Sequence, residues 1–108
     1  MDQTSAIIIF ITASSSEEAQ NIATALVEEK LVACVNIIPQ IRSIYWWEGK
    51  VCQDDEVMLI SKTKQSLFTL LMDRVKALHS YEVPEIIAFP ISEGSPEYLS
   101  WIENVTKS

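Results

Sequence analysis

Glycine is scarce, with two in 108 residues beside four prolines, so collagen-like, low-complexity and disordered classes are excluded. Two glycines also leave little from which to build a phosphate cradle of backbone amides, and no GxGxxG, Walker, HExxH or GxSxG pattern occurs. Basic residues are few: eight Lys and Arg against fifteen Asp and Glu give a net charge of −7. A sequence-independent grip on nucleic acid or on an anionic membrane therefore has no electrostatic source. The longest wholly apolar run, Ala6 to Ile11, falls far short of the roughly 20 residues a bilayer crossing needs. Met1-Asp2 lacks the basic flank of a signal peptide, and a cytoplasmic location is expected. The two cysteines, Cys34 and Cys52, and the single histidine, His79, fit no zinc-binding spacing. Reduced thiols are expected in that compartment, so packing and not a disulfide must hold the fold.

What is present is a core. Hydrophobic residues make up 48% and charged ones 21% of a chain the length of one domain, residues 1–108. Ala6 to Thr12 is β-branched and apolar on both parities, the pattern of a central strand. Ser14-Ser15-Ser16-Glu17-Glu18 supplies cap hydroxyls and first-turn carboxylates for a helix over 16–30. Its apolar stripe is Ala19, Ile22, Ala23, Leu26, Val27 and the stem of Lys30. Val32 to Ile38 reads as a second strand, Pro39 interrupts its ladder, and extended character resumes from Ile41 to Trp47. Glu48-Gly49 sits where a tight hairpin needs positive φ, and a long strand returns over 51–63.

Ser66 is placed to cap a second helix with Leu67, Leu70, Leu71, Val75 and Leu78 on its buried stripe, ending near His79. A short strand, Glu85 to Pro90, precedes a terminal helix that opens on Ser95-Pro96-Glu97 and carries Tyr98, Leu99, Trp101, Ile102 and Val105. The order β α β β α β predicts an α+β fold of ferredoxin-like, split βαβ type: an antiparallel sheet with a long β2–β3 hairpin and an extra C-terminal helix. A strand over 51–63 spans roughly 40 Å at about 3.3 Å per residue, whereas a 100-residue domain has a radius of gyration near 13 Å, roughly. The hairpin must overhang its own core, exposing Tyr45, Trp46 and Trp47, and pairing with further subunits would cover them.

Chemistry-bearing residues are few. Cys34 in an apolar strand reads as core packing, with a functional thiol as the alternative, and Cys52 beside the turn reads as incidental. His79 reads either as a helix-end cation or as an imidazole metal ligand. The carboxylates beside the hairpin, Glu48 and Glu56 among them, read as a solvated face. No catalytic residue is assigned, and an enzyme is the weakest reading.

Taken together, Ser43-Ile-Tyr-Trp-Trp-Glu-Gly-Lys50, Asp55-Glu-Val57, Lys62-Thr63, His79-Ser-Tyr-Glu-Val-Pro-Glu-Ile86 and Tyr98-Leu-Ser-Trp101 resemble the CutA family of divalent-cation tolerance proteins. The resemblance spans nearly the whole chain. It implies a homotrimer, related in architecture to PII signalling proteins, whose long strands pair between subunits. It also implies a role in tolerance to copper and other divalent metals through a lateral cleft between subunits. Carried over by position, Cys34, His79, Glu56 and Glu85 are the metal candidates, and Trp47, Lys62, Tyr81 and Trp101 are further cleft residues. Cys34 and His79 suit copper, with the two glutamates as oxygen ligands or as orienters of the imidazole. Lys62 cannot ligate while protonated, and pairs with a carboxylate or an anion instead. Ser80 stands in the usual proline position, and Ile11 and Thr12 stand where a first-strand cysteine would be, so moderate metal affinity is expected. The competing readings are a PII-like sensor of a small anionic ligand and a scaffold with no ligand of its own.

Overall fold

The computed structural model describes residues 5–108; Met1 and Asp2, with the missing signal-peptide flank, lie outside them. Four strands form one sheet in the order β2-β3-β1-β4, and every neighbouring pair is antiparallel. This is the expected ferredoxin-like arrangement. The strands are β1 (Ala6–Ala13), β2 (Cys34–Trp47), β3 (Lys50–Lys64) and β4 (Ile86–Pro90), and the helices are α1 (Ser16–Glu28), α2 (Phe68–Leu78) and α3 (Pro96–Val105). No helix among the described residues is long and apolar enough to cross a membrane.

The alternation of a pleated strand divides β1 between the two sheet faces. Ile7, Ile9, Ile11 and Ala13 point with Val57 and Leu59 of β3 into the main core, against Ala19, Ile22, Ala23 and Leu26 of α1 and Leu71 and Val75 of α2. Ile8, Phe10 and Thr12 belong to the other face, opposite Lys62, Ile60 and Met58. One end of that face is covered by α3, whose Ile102 packs with Ala6 and Ala33. The α3 helix is pinned there by the buried Lys64, whose Nζ lies 3.0 Å from Glu103 Oε2. Beyond α3 the face stays apolar and open, with Ile38, Ile87 and Phe89 exposed and Phe10 edge-on to Phe89 at 5.2 Å between ring centroids.

Local signals set the hairpin. Glu48 and Gly49 have φ of 50° and 80°, the two positive values a type I′ loop requires, and Trp47 pairs with Lys50 across it. Pro39 falls within a register shift between Ile38 and Ile41, so β2 continues through it as one bulged strand. Ladder pairing of β3 with β1 stops at Val57, so residues 50–56 pair with β2 alone and project as an arm. The molecule is accordingly drawn out to 46 Å against 27 and 23 Å, with a radius of gyration of 14.5 Å.

Three sequence expectations are corrected. The α1 helix ends at Glu28, two residues early, because Lys30 turns left-handed at φ 61°. Leu31 N–H then donates to Leu26 O at 2.9 Å and Lys30 N–H to Val27 O at 3.0 Å, a Schellman stop made without glycine; Val27, expected on the buried stripe, is exposed. Ser66 caps nothing: a 3-10 turn over Gln65–Leu67 leads into α2, whose first turn has no side-chain cap. Leu70 points outward at 53% exposure while Leu71 is fully buried. Replacing Leu71 with Ala should therefore cost about 2–5 kcal/mol, and Leu70→Ala should stay within about 0.5 kcal/mol. Urea denaturation followed by circular dichroism measures both, and equal losses would show that Leu70 is packed.

Candidate functional site

Where β1 ends and the arm begins, the open side of the sheet carries a cleft of about 610 Å³ whose walls include Thr12, Ser43, Tyr45, Trp47, Glu56, Tyr81 and Glu85. Its floor follows from the register: Glu56 is the first β3 residue beyond the reach of β1, on the same parity as Thr12's partner Met58. The roof is the segment between α2 and β4. From it the Tyr81 phenol donates to Glu56 Oε2 at 2.7 Å, and partial burial together with that bond raises the phenol's pKa. The Tyr45 phenol donates to Asp54, which pushes it up to about 12. Glu85 is exposed as a residue, yet desolvation of its carboxyl and the nearby charge of Glu56 hold its pKa above the ordinary value. Glu82 is a third acid in the lining, and no Lys, Arg or His stands among the lining residues. Such a cleft favours a cation.

His79 holds the roof in place from behind. The Thr12 carbonyl can only accept, so the 2.6 Å contact to Nε2 identifies that nitrogen as the donor. Nδ1 accepts from the Tyr81 backbone N–H at 3.0 Å. The ring is thus the neutral Nε2–H tautomer, its side chain fully buried, and it can ligate a metal only by giving up one of these bonds. Glu18, at the start of α1, completes the support. One of its oxygens accepts from the Ser14 amide and hydroxyl, each at 2.9 Å, and the other from the Ser80 amide at 2.6 Å. Burial opposes its ionisation, but the combined bonds from Ser14 and Ser80 win and hold its pKa at about 2.

The remaining sequence candidates lie elsewhere. Cys34 pairs with Lys62, and Lys62 with Ile8, on the same open face, four β1 residues from Thr12. At about 3.3 Å per residue that is a separation of about 13 Å along the strand alone, with Phe10, Ile60 and Met58 between. Cys34 Sγ lies 3.8 Å from the Tyr98 hydroxyl, Tyr98 stacks at a tilt on Trp101 with centroids 5.4 Å apart, and Lys62 donates to Asn36. Within one chain the structure therefore brings together Trp47, Glu56, Tyr81 and Glu85 with His79 behind them. It places Cys34, Lys62 and Trp101 in a second group at the far end of the face. No cluster of three His, Cys, Asp or Glu side chains able to hold a metal forms among the described residues of a single chain. Reading the sequence missed Glu18, Tyr45 and Tyr98. The Ser14-to-Glu18 spacing was the one local signal available, because the bonds that give these residues their places cross 62, 9 and 64 positions.

Because Glu18 is held below the ordinary carboxylate value of 4.5, its contribution is complete above that pH and is lost as pH falls toward about 2. A displacement of that size corresponds to about 3 kcal/mol. Glu18→Gln should lower stability near neutrality and flatten the decline over that acid window. Urea midpoints taken as a function of pH provide the measurement, and parallel curves for both proteins would dismiss the latch.

Comparison with known proteins places these features in a family. A family model described as CutA1 divalent ion tolerance protein matches residues 7–105. The divalent-cation tolerance protein CutA of Thermus thermophilus is 54% identical over 99 residues, covering 92% of this chain and 96% of the relative. The chloroplastic protein CutA 1 of rice, Oryza sativa, is 48% identical over 101 residues, 94% of this chain but 57% of the relative. The chain thus spans little more than half the length of that plant relative and of the human protein CutA, of which it covers 55%. Among solved structures, rice CutA1 superposes with a TM-score of 0.95 at 46% identity, covering 98% of this chain and 97% of that one. The Thermus thermophilus protein gives 0.93 at 52% identity, covering 94% and 99%.

Proposed function

The chain belongs to the CutA1 family of divalent ion tolerance proteins, and from that premise we propose that it binds divalent cations, copper among them, at moderate affinity in a cleft completed by a neighbouring subunit of a homotrimer. The observation that carries the reading is the Glu56–Glu85 pair. Desolvation first, and the charge of Glu56 second, raise the Glu85 carboxyl, and a cation held by both carboxylates relieves that repulsion. Carboxylate oxygens accept most divalent ions, and copper stands at the top of the first-row affinity order whatever the ligand set. His79 orients Tyr81 in this reading, and through Tyr81 it orients Glu56.

Assembly supplies what one chain lacks. The two groups of candidate residues sit at opposite ends of one open sheet face, so a head-to-tail contact brings the Cys34 end of one copy toward the Glu56 end of the next. Closing that contact after three copies leaves no free end. Trp46, Val51 and Ile44 at 73%, 59% and 66% exposure on the arm supply apolar surface that such a contact would cover. The family is named for ion tolerance and not for a reaction, and no catalytic step is assigned.

Copper titrated against the apo protein in competition with a chelator near neutral pH should give one site per subunit. Glu85→Gln should weaken it by about tenfold, about 1.4 kcal/mol, and Cys52→Ser should leave it unchanged. Since a metal competes with protons for a carboxyl whose pKa is raised, affinity should fall as pH drops toward and below that raised value. Equal copper affinity in wild type and Glu85→Gln would overturn the assignment. Sedimentation at micromolar concentration should give a trimer mass, and a monomer would remove the shared cleft.

A further inference from the structure

We infer that the cleft's resident cation is a lysine: Lys62 of the partner subunit sits against Glu56 and Glu85, and a divalent metal enters by displacing it. The inference rests on the head-to-tail assembly proposed above, but not on a metal being bound. Glu56 and Lys62 stand six residues apart on the open face of β3, roughly 20 Å at about 3.3 Å per residue, with Met58 and Ile60 between them. Within one chain the two side chains are too far apart to meet. Between copies packed head to tail, each chain offers the lysine to one neighbour and the carboxylates to the other.

Charge makes that meeting selective. Each chain carries −7, so copies repel at long range, and a contact between them needs opposite charges facing each other locally. Of the other cations on β2 and β3, Arg42 is paired with Asp55 and Lys64 with Glu103, and Lys50 stands at the turn. Lys62 donates to the side-chain oxygen of Asn36, a neutral acceptor, and has no carboxylate partner among the described residues. The cleft lining holds Glu56, Glu82 and Glu85 and no base from its own chain. A subunit contact takes water from both groups, and charges desolvated apart from each other cost far more than the ion pair they can form together. Tyr81 occupies Glu56 Oε2, which leaves Oε1 and the Glu85 carboxylate to accept from the ammonium. A metal takes these same oxygens, so metal and lysine exclude each other, and moderate metal affinity follows.

The experiment has two arms on the full chain. Titrated with copper against a competing chelator, Lys62→Gln should bind at least about tenfold more tightly than wild type. Lys76→Gln, the same change of charge at an exposed position of α2, should match wild type. The second arm needs no metal. Lys62→Glu and Glu56→Lys should each raise the trimer's dissociation constant, read by sedimentation at low salt, by at least about tenfold, and the double exchange should restore it, since the reversed pair meets only between copies. Should Glu56→Lys fail to fold by circular dichroism, Glu85→Lys takes its place. In a protein that is a trimer and binds copper, unchanged copper affinity in Lys62→Gln overturns this inference alone. So do single reversals that leave assembly unchanged, or a double exchange no better than either of them. A monomeric wild type overturns the shared cleft and this inference with it. Restored assembly without copper binding overturns the metal reading and keeps Lys62 of the partner subunit as the cleft's cation.

Discussion

The β2–β3 hairpin is longer than the strand beside it, and the rest of the structure answers to that mismatch. β1 pairs with β3 only from Val57 to Lys64, while β2 accompanies β3 to the turn at Lys50. At the step between them the sheet, which β4 has already left at Ile11, drops from three strands to two. Glu56 falls on that step, so its carboxylate meets a concave corner and not a flat sheet. The bulge at Pro39 lies just inside the step; an extra residue there increases local twist, and the arm it redirects provides Ser43, Tyr45 and Trp47 as the second wall. A shorter hairpin would remove the arm's exposed aromatics and the cleft together.

The corner becomes a defined site because the segment from His79 to Glu85 is fixed over it. That segment has little regular structure and owes its position to side chains. His79 spans from the Thr12 carbonyl to the Tyr81 amide, and Glu18 ties Ser80 to the start of α1. Each partner is a backbone group near the end of a helix or strand. The same bonds that satisfy those groups aim Tyr81 at Glu56. Stability and site geometry are here one network, so Glu18, which lies outside the cleft lining, still belongs to the account of how the cleft keeps its shape.

This separation explains what could be read from the sequence. The hairpin turn at Glu48-Gly49, the bulge at Pro39, the Ser95-Pro96 helix start and the element order are set by residues within a few positions of each other, and all appear in the structure. The stop of α1 at Lys30 was hidden because a lysine takes the left-handed position usually given to glycine. Leu70 and Leu71 are neighbours with equal hydrophobicity, and which one α1 covers is decided by packing across the helix pair. In the site, Glu56 had looked like one more solvated acid until the family pattern singled it out; its distinction comes from Tyr81, 25 residues away. His79 was legible as an unusual residue at a helix end. Its two bonds, and hence its tautomer, were not.

The division of the candidate residues between two ends of one face also has a physical reason. A four-stranded sheet with helices on one side leaves its other side uncovered, and here α3 closes only the end at Ala6 and Ala33. Between that end and the cleft lies the apolar belt of Phe10, Ile60, Met58 and Phe89, which cannot itself bind an ion and is costly to leave in water. Polar, ligand-capable side chains are therefore confined to the rims: Cys34, Lys62 and Tyr98 on one, Glu56, Tyr81 and Glu85 on the other. A belt of this kind is covered by association, and association across it is what can carry one rim to the other. The apolar surface that drives subunits together and the polar rims that would form a site are parts of a single pattern, in which alternate residues of the same strands serve the chain's own core and its neighbours.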